Sequence, residues 1–251
     1  MNQLRTSAIA TGQPDTFNVY WSNSDFRPGG LLEVRIRPDI PGRQIAAELS
    51  AIRHLLEERQ VLGSNVTTGQ GIKLTVSQGA IRKLCAQRSD KAHLAPYANF
   101  LVTRFGGCQI EVSKKTDWFA GLPQDSAENL LINRPRRETL SIAGVGEVAV
   151  SSHALQRFAE RILPDIDPDR RIPAAWKKLV RIVSDPSVHE VARCNRNAPL
   201  RFTKACHHEG RYFLNQTHNL VLVVTERPHE GKKLVTTYPA TREFVALAEA
   251  A

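Results

Sequence analysis

The sequence lacks any apolar stretch long enough to cross a bilayer, and residues 1–17 contain no hydrophobic segment of the secretory type. We therefore expect a cytoplasmic protein that makes no membrane contact. The Walker A, G-x-G-x-x-G, H-E-x-x-H and G-x-S-x-G patterns are absent as well. Their absence disfavours nucleotide-driven, zinc-protease and serine-hydrolase chemistry, and we expect no small-molecule cofactor.

Cysteine is scarce: the chain has Cys85, Cys108, Cys194 and Cys206, and none of them forms a C-x-x-C pair. This spacing is typical neither of a disulfide framework nor of a zinc finger. The last two cysteines could meet His207 and His208 around zinc, but the missing close pair favours reduced structural thiols. The sequence thus predicts no metal site.

Acidic residues are in deficit, since 34 Lys and Arg face 25 Asp and Glu and give a formal net charge of +9. The excess is spread along the chain, with 18 basic against 14 acidic residues up to Val148 and 16 against 11 beyond it. An apolar fraction of 41% is enough for packed cores. A folded protein with this charge balance favours a polyanionic partner, in the first place a nucleic acid.

Hydrophobic periodicity and turn residues predict a flexible N-terminus at 1–16, an α/β domain at 17–132, a linker at 133–147 and an α+β domain at 148–251. In the first domain we expect strands at 17–21, 31–37 and 72–76, helices at 44–60 and 78–86, and a hairpin of strands 100–103 and 108–112. In the second we expect a strand at 146–150, a helix around residue 153, a helix at 174–183, strands at 188–193, 200–206, 212–215, 220–225 and 234–238, and a helix at 241–250. The predicted fold class is α+β, with a mixed sheet in the first domain and helices on an antiparallel sheet in the second.

Two short motifs of the first domain, A-E-L-S-A-I at 47–52 and L-T-V-S-Q at 74–78, resemble the ribonuclease H-like fold. In that family a helix carries A-E-L-x-A-I and a later strand ends in T-D-S-Q, and clustered carboxylates hold two divalent ions. Glu48 stands at the helix position, but Val76 replaces the strand aspartate, and no D-G-S occurs near Asn23 and Asp25. The resemblance therefore implies a degenerate, non-catalytic nucleic-acid-binding domain. A generic α/β domain is the alternative.

The most informative segment is S-S-H-A-L-Q-R-F-A-E-R-I at 151–162. On a helix, at about 100° per residue, one side carries His153, Arg157, Glu160 and Arg161, and the other carries Leu155, Phe158 and Ile162. An imidazole can move a proton near neutral pH, and a guanidinium can hold phosphate oxygens with two hydrogen bonds. The pattern indicates a phosphodiester-binding face, and a solvated helix face with internal ion pairs is the alternative.

This helix motif, H-A-x-x-R-x-x-E-R, together with V-T-T-Y at 235–238, resembles RelE/ParE-like toxins and barnase- and colicin-type metal-independent ribonucleases. The resemblance implies a metal-independent endoribonuclease, so RNA is favoured over DNA. Such cleavage needs a base for the 2′-hydroxyl, an acid for the leaving 5′-oxygen and cations for the phosphorane. We expect His153 to act as base or acid, Arg157 and Arg161 to clamp the phosphate, and Thr236 to donate a hydrogen bond to it.

Further cations of the second domain are candidates for binding backbone phosphates, namely Arg201, Lys204, Arg211, Lys232 and Lys233. Two other functions stay open: a non-enzymatic nucleic-acid-binding or regulatory protein, and a protein–protein adaptor or inhibitor within a larger complex. The toxin-like resemblance also allows a protein partner that acts as an antidote.

Overall fold

A computed structural model describes residues 2–23, 28–66, 68–123, 127–191, 210–228 and 231–240. The chain divides into two compact units, Met1–Arg136 and Arg137–Ala251. Each unit has a six-stranded sheet with helices packed on it, so the predicted α+β class with two domains is confirmed. No helix in the described ranges is both long and apolar enough to cross a membrane.

The N-terminal unit contains strands β1 (Asn2–Ala10), β2 (Thr16–Asn23), β3 (Gly29–Ile36), β4 (Ile72–Val76), β5 (Gln109–Val112) and β6 (Glu128–Ile132), and helices α1 (Arg43–Glu57), α2 (Gly79–Cys85) and α3 (Ala95–Val102). Short 3₁₀ helices lie at Ala92–Leu94 and Asp117–Phe119. The strand order is β5-β4-β1-β2-β3-β6. Strands β1 to β3 form an antiparallel meander, and β4, β5 and β6 each join in parallel.

The core of this unit lies between the sheet and α1. Apolar residues at helical spacing, such as Ile45, Leu49 and Ile52, are all buried on the side of α1 that faces the strands. In β2 the alternating residues Phe17 and Val19 point to the same core. The sequence periods of 3.6 and 2 residues therefore gave correct predictions for these two elements.

Two predictions for this unit are wrong. The N-terminus predicted to be flexible over 1–16 is instead part of the sheet at residues 2–10, which form β1 and pair with both β2 and β4. The strand predicted at 100–103 lies mostly within helix α3, so the hairpin with 108–112 does not exist. Strand β5 instead pairs in parallel with β4. Consecutive apolar residues such as Phe100 and Leu101 fit a buried helix as well as a strand, and here the helix is favoured by packing against α1 and α2.

The C-terminal unit contains strands β7 (Thr139–Ile142), β8 (Gly146–Val150), β9 (Val188–Val191), β10 (Gly210–Asn215), β11 (Leu220–Arg227) and β12 (Gly231–Pro239), and helices α4 (Ser152–Ile162) and α5 (Pro168–Val183). The strand order is β7-β8-β12-β11-β10-β9. Neighbouring strands are antiparallel except for β8 and β12, which run parallel. Both helices pack on one face of this sheet, where Phe158, Leu179 and Leu222 are buried.

The predicted linker at 133–147 is wrong in its second half, because β7 and the start of β8 form an antiparallel hairpin there. Its polar residues hide the strand pattern, although Leu140 and Ile142 both point into the core. The strand predicted at 200–206 and the helix predicted at 241–250 lie outside the described residues.

Helix α4 begins with a side-chain cap. Ser151 has an extended backbone, and its hydroxyl oxygen accepts a hydrogen bond from the Ala154 amide at 3.1 Å. The same hydroxyl lies 3.4 Å from the Leu234 carbonyl oxygen, to which it donates. This residue therefore fixes both the start of the helix and its attachment to β12.

We expect Ser151→Ala to lower the free energy of unfolding by about 1 kcal/mol, because it leaves an amide of the first helical turn without its acceptor. Urea-induced unfolding followed by circular dichroism measures this loss. Ser151→Thr keeps the hydroxyl and should stay close to the wild-type protein. An equal loss in the threonine variant would contradict the capping role.

Candidate nucleic-acid interface

The polar side of α4 presents three groups in one row. His153, Arg157 and Arg161 are exposed and follow one another at intervals of four residues, whereas Leu155 and Phe158 are buried on the opposite side. Four residues advance a helix by about 6 Å, so the row spans roughly 12 Å. The amphipathic arrangement predicted for 151–162 is therefore present in the structure.

Arg161 joins the end of this row to β12. Its guanidinium Nη1 lies 3.4 Å from the Thr236 hydroxyl oxygen, and it also donates a hydrogen bond to the Thr237 carbonyl. The structure thus brings together two of the residues that the sequence assigned to phosphate binding. A guanidinium has five N–H donors, so these contacts leave others of Arg161 available to a ligand.

Arg157 is already paired with a carboxylate on its own helix. Its Nη1 lies 3.0 Å from Glu160 Oε2, and Gln156 Nε2 donates to Glu160 Oε1 at 3.0 Å. The side chains of Arg157 and Glu160 are 49% and 38% exposed. An ion pair this exposed contributes roughly 0–1 kcal/mol, so a phosphate that receives two hydrogen bonds can replace Glu160.

His153 stands in the first turn of α4, directly after the capped start of the helix. Its ring is exposed, and within the described ranges no residue forms a hydrogen bond with either ring nitrogen. The ring is thus open to a ligand, but no carboxylate or carbonyl of these residues fixes its tautomer. The exposed ring can therefore exchange a proton with a ligand, but no described residue holds it in one orientation for that transfer.

The structure describes three of the five additional candidate cations, and each of the three makes different contacts. Arg211 forms a two-point ion pair with Glu190, with Nε 2.7 Å from Oε1, and its guanidinium lies 5.2 Å from the centre of the Phe213 ring. The hydrogen bonds from Arg211 hold the pKa of Glu190 below its ordinary value. Lys232 donates from Nζ to the Val145 carbonyl at 2.5 Å, and Lys233 is half-buried. Arg201 and Lys204 lie outside the described residues.

A second polar cluster surrounds Glu48 in the N-terminal unit. The Glu48 carboxylate is fully buried and accepts hydrogen bonds from the Thr6 hydroxyl at 2.9 Å, the Ser77 amide at 2.7 Å and the Ser77 hydroxyl at 2.6 Å. Burial, opposed in part by these hydrogen bonds, raises the pKa of Glu48 to about 7. The sequence singled out Glu48 and the L-T-V-S-Q motif that contains Ser77, but it indicated neither Thr6 nor the contact between Ser77 and Glu48.

The residues around Glu48 do not fit a two-metal centre of the ribonuclease H type. Protein donors already occupy both carboxylate oxygens, and the neighbouring strands offer the hydroxyls of Thr6 and Ser77 and the apolar Val76 in place of further carboxylates. Within the described part of the chain, no group of three or more His, Cys, Asp or Glu is arranged to hold a metal ion. Glu48 is therefore the centre of a buried hydrogen-bond network that links α1 to β1 and to the residue after β4.

No protein-family model matches the chain, and no curated protein matches it. A solved structure similar to part of the chain is that of ribonuclease H1 from the halophilic archaeon Halobacterium salinarum NRC-1. The sequence identity is 15%, the match covers 47% of this chain and 88% of that chain, and the TM-score is 0.35. This likeness is distant, and it assigns neither the activity nor the site residues of ribonuclease H1 to this chain. The resemblance of α4 and β12 to toxin and barnase-type ribonucleases stays a hypothesis.

Proposed function

We propose that the protein acts on RNA and that the α4 face, defined as His153, Arg157, Arg161 and the adjoining Thr236, binds the phosphodiester backbone and cleaves it without metal. The observation that carries this proposal is the contact of Arg161 with Thr236 at the end of the exposed row on α4. The net charge of +9 supports a polyanionic partner.

In this proposal each residue has one chemical task. Arg157 exchanges Glu160 for a nonbridging phosphate oxygen, and Arg161, steadied by the Thr237 carbonyl, holds a second one. The Thr236 hydroxyl donates to the same phosphate. His153 takes the proton of the 2′-hydroxyl, the resulting oxyanion attacks phosphorus, and the bond to the leaving 5′-oxygen breaks, with water supplying the leaving group's proton.

A second candidate is RNA binding without cleavage through the same face. The specific observation that favours it is the His153 ring, which no described residue orients by a hydrogen bond. A general base is normally held in place by such a contact, and binding needs only the cations. In both candidates the N-terminal unit serves as a non-catalytic nucleic-acid-binding module. The enclosed carboxylate of Glu48 supports the absence of catalysis there.

The test is cleavage and binding of labelled single-stranded RNA by the full chain in excess EDTA. We expect cleavage to be lost in His153→Ala, and binding to weaken in Arg157→Ala with a decrease of about 1 in the slope of log affinity against log salt. We expect Glu160→Gln to tighten binding severalfold, because it removes the carboxylate that competes for Arg157.

Matched controls come from exposed residues elsewhere in the C-terminal unit, His189→Ala on β9 and Arg181→Ala on α5. Both should behave as the wild-type protein. Salt-sensitive binding without cleavage would select the binding module. Weak association with RNA that does not change with salt concentration would overturn both candidates. The protein–protein adaptor would then be the remaining alternative.

A further inference from the structure

The N-terminal unit contains a cleft that neither the α4 face nor the Glu48 network uses. It lies between the second half of α1, the α3 residue Tyr97, strand β6 and the segment that follows this strand. Its lining includes Arg53, His54, Tyr97, Leu130, Arg134 and Arg136. We call it the α1–β6 cleft.

Tyr97, one of the residues that line the α1–β6 cleft, carries a buried polar atom without a partner within the described residues. The Tyr97 side chain belongs to a residue that is only 6% exposed, and its buried hydroxyl forms no hydrogen bond with them. Burial raises the pKa of Tyr97. A protonated phenol can donate one hydrogen bond. A buried hydroxyl without an acceptor costs about 1–3 kcal/mol, and a ligand oxygen in the cleft would recover this.

Arg134 and Arg136 supply accessible positive charge at the mouth of the cleft. Arg134 is exposed and makes no ion pair with any described residue. Arg136 is 60% exposed, and its Nη1 binds Glu58 Oε1 at 2.7 Å, which leaves other N–H groups for a ligand. Arg53 fixes the segment that carries them, since its Nη1 donates to the Arg136 carbonyl at 2.7 Å.

The carboxylates near the cleft are already neutralised. Glu57 binds Arg53 at 3.0 Å and lies 3.6 Å from Arg104. Glu128 binds Arg59 and the His54 ring, whose other nitrogen lies 2.9 Å from Glu58. The whole group therefore contains five arginines and three glutamates, and the positive excess matches a dianion better than a monoanion.

We propose that the α1–β6 cleft binds a phosphate monoester carried on a nucleotide. Arg134 and Arg136 bind the phosphate oxygens, the Tyr97 hydroxyl donates to the ligand, and the half-buried Leu130 and Ile132 provide an apolar wall for its non-phosphate part. A phosphate monoester carries a charge between about −1.5 and −2 at neutral pH, whereas an internal phosphodiester carries about −1. The source of the phosphate is either a free nucleotide or the phosphorylated end of an oligonucleotide.

The test is isothermal titration calorimetry of the full chain with two pairs of probes. The first pair is adenosine monophosphate and adenosine. The second pair is one hexaribonucleotide prepared with a 5′-phosphate and the same hexaribonucleotide with a 5′-hydroxyl. We expect at least one phosphorylated probe to bind tenfold or more tightly than its unphosphorylated counterpart. Binding of the mononucleotide identifies a free nucleotide as the source, and binding of the 5′-phosphorylated oligomer alone identifies a strand end. Equal affinities within both pairs, or no binding at all, would overturn the proposal.

Variants distinguish the cleft from general attraction to a basic protein. Arg134→Ala should weaken binding about tenfold, and Tyr97→Phe, which removes only the unpartnered hydroxyl, should weaken it about fivefold without lowering stability. Arg82→Ala removes the same charge from an exposed position on α2 and should change the affinity less than twofold. A loss in Arg82→Ala equal to that in Arg134→Ala would also overturn the proposal. Because the α4 variants leave the cleft intact, failure of one site does not imply failure of the other.

Discussion

Replacing Glu48 with glutamine should make the protein more stable above pH 7 and leave it nearly unchanged below pH 4.5. The folded protein raises the pKa of this carboxyl from 4.5 to about 7, mainly through burial. Between these values the folded state binds more protons than the unfolded state, so the wild-type free energy of unfolding falls as the pH rises. Over 2.5 pH units the decrease is on the order of 3 kcal/mol.

Glutamine is a suitable replacement because it keeps the shape and can satisfy the surrounding donors. Its carbonyl oxygen can accept from the Thr6 hydroxyl and the Ser77 amide, and the Ser77 hydroxyl can turn to accept from the new amide group. The variant therefore removes the charge with little change in packing. The stability difference between Glu48→Gln and wild type should grow through the window from pH 4.5 to 7 and then stay constant.

The measurement is urea-induced unfolding from pH 4 to pH 8.5, followed by a probe that reports on the N-terminal unit. Glu33→Gln, which removes an exposed carboxylate from β3, is the matched control and should follow the wild-type pH profile. A Glu48→Gln profile parallel to wild type throughout the range would show that the buried carboxyl does not titrate there.

Phe158→Ala should lower the free energy of unfolding of the C-terminal unit by about 3–5 kcal/mol. Phe158 is fully buried on α4, in the core cluster that also contains Leu179 of α5 and Leu222 of β11. Truncation removes its apolar contacts and leaves a cavity between helix and sheet, which the surrounding structure fills only in part.

Native-state hydrogen exchange of the amides in α4 and β11 measures this loss directly. Phe158→Leu retains most of the volume and should cost less than about 1.5 kcal/mol. Val180→Ala, at an exposed position of α5, should stay within about 0.5 kcal/mol of wild type. A small effect in Phe158→Ala would show that α4 is not held by this core.

The sequence predicted the elements with a single buried side. In α1 and α4, apolar residues recur every three or four positions, and both helices have the predicted buried face, as Leu49 and Phe158 show. The position of Thr236 beside α4 was also anticipated, because V-T-T-Y marks a strand late in the same domain, but the contact with Arg161 needed the three-dimensional structure.

Elements whose buried positions are polar escaped prediction. In β1 the core-facing residues include Thr6, and Ser7 on the other face is also buried, so the strand lacks a clean alternation of apolar and polar residues. Because β1 was not predicted, Thr6, the residue of this strand that donates a hydrogen bond to Glu48, was not predicted either. A pattern of short polar residues flanked by Leu4 and Ala8 was the available signal, and it is weak without knowledge of the partner strands.

The parallel pairing of β8 with β12 determines when the α4 face is complete during synthesis. Strand β8 precedes α4 in the chain, whereas β12 comes after β9, β10 and β11, and the hydrogen bond between Arg161 and Thr236 spans 75 residues. Contacts this distant in sequence form late, because the intervening chain must be ordered first. A nascent chain that exposes α4 before β12 has left the ribosome therefore carries His153, Arg157 and Arg161 but not the strand that completes the α4 face. The proposed activity of the α4 face therefore requires β12 to be in place.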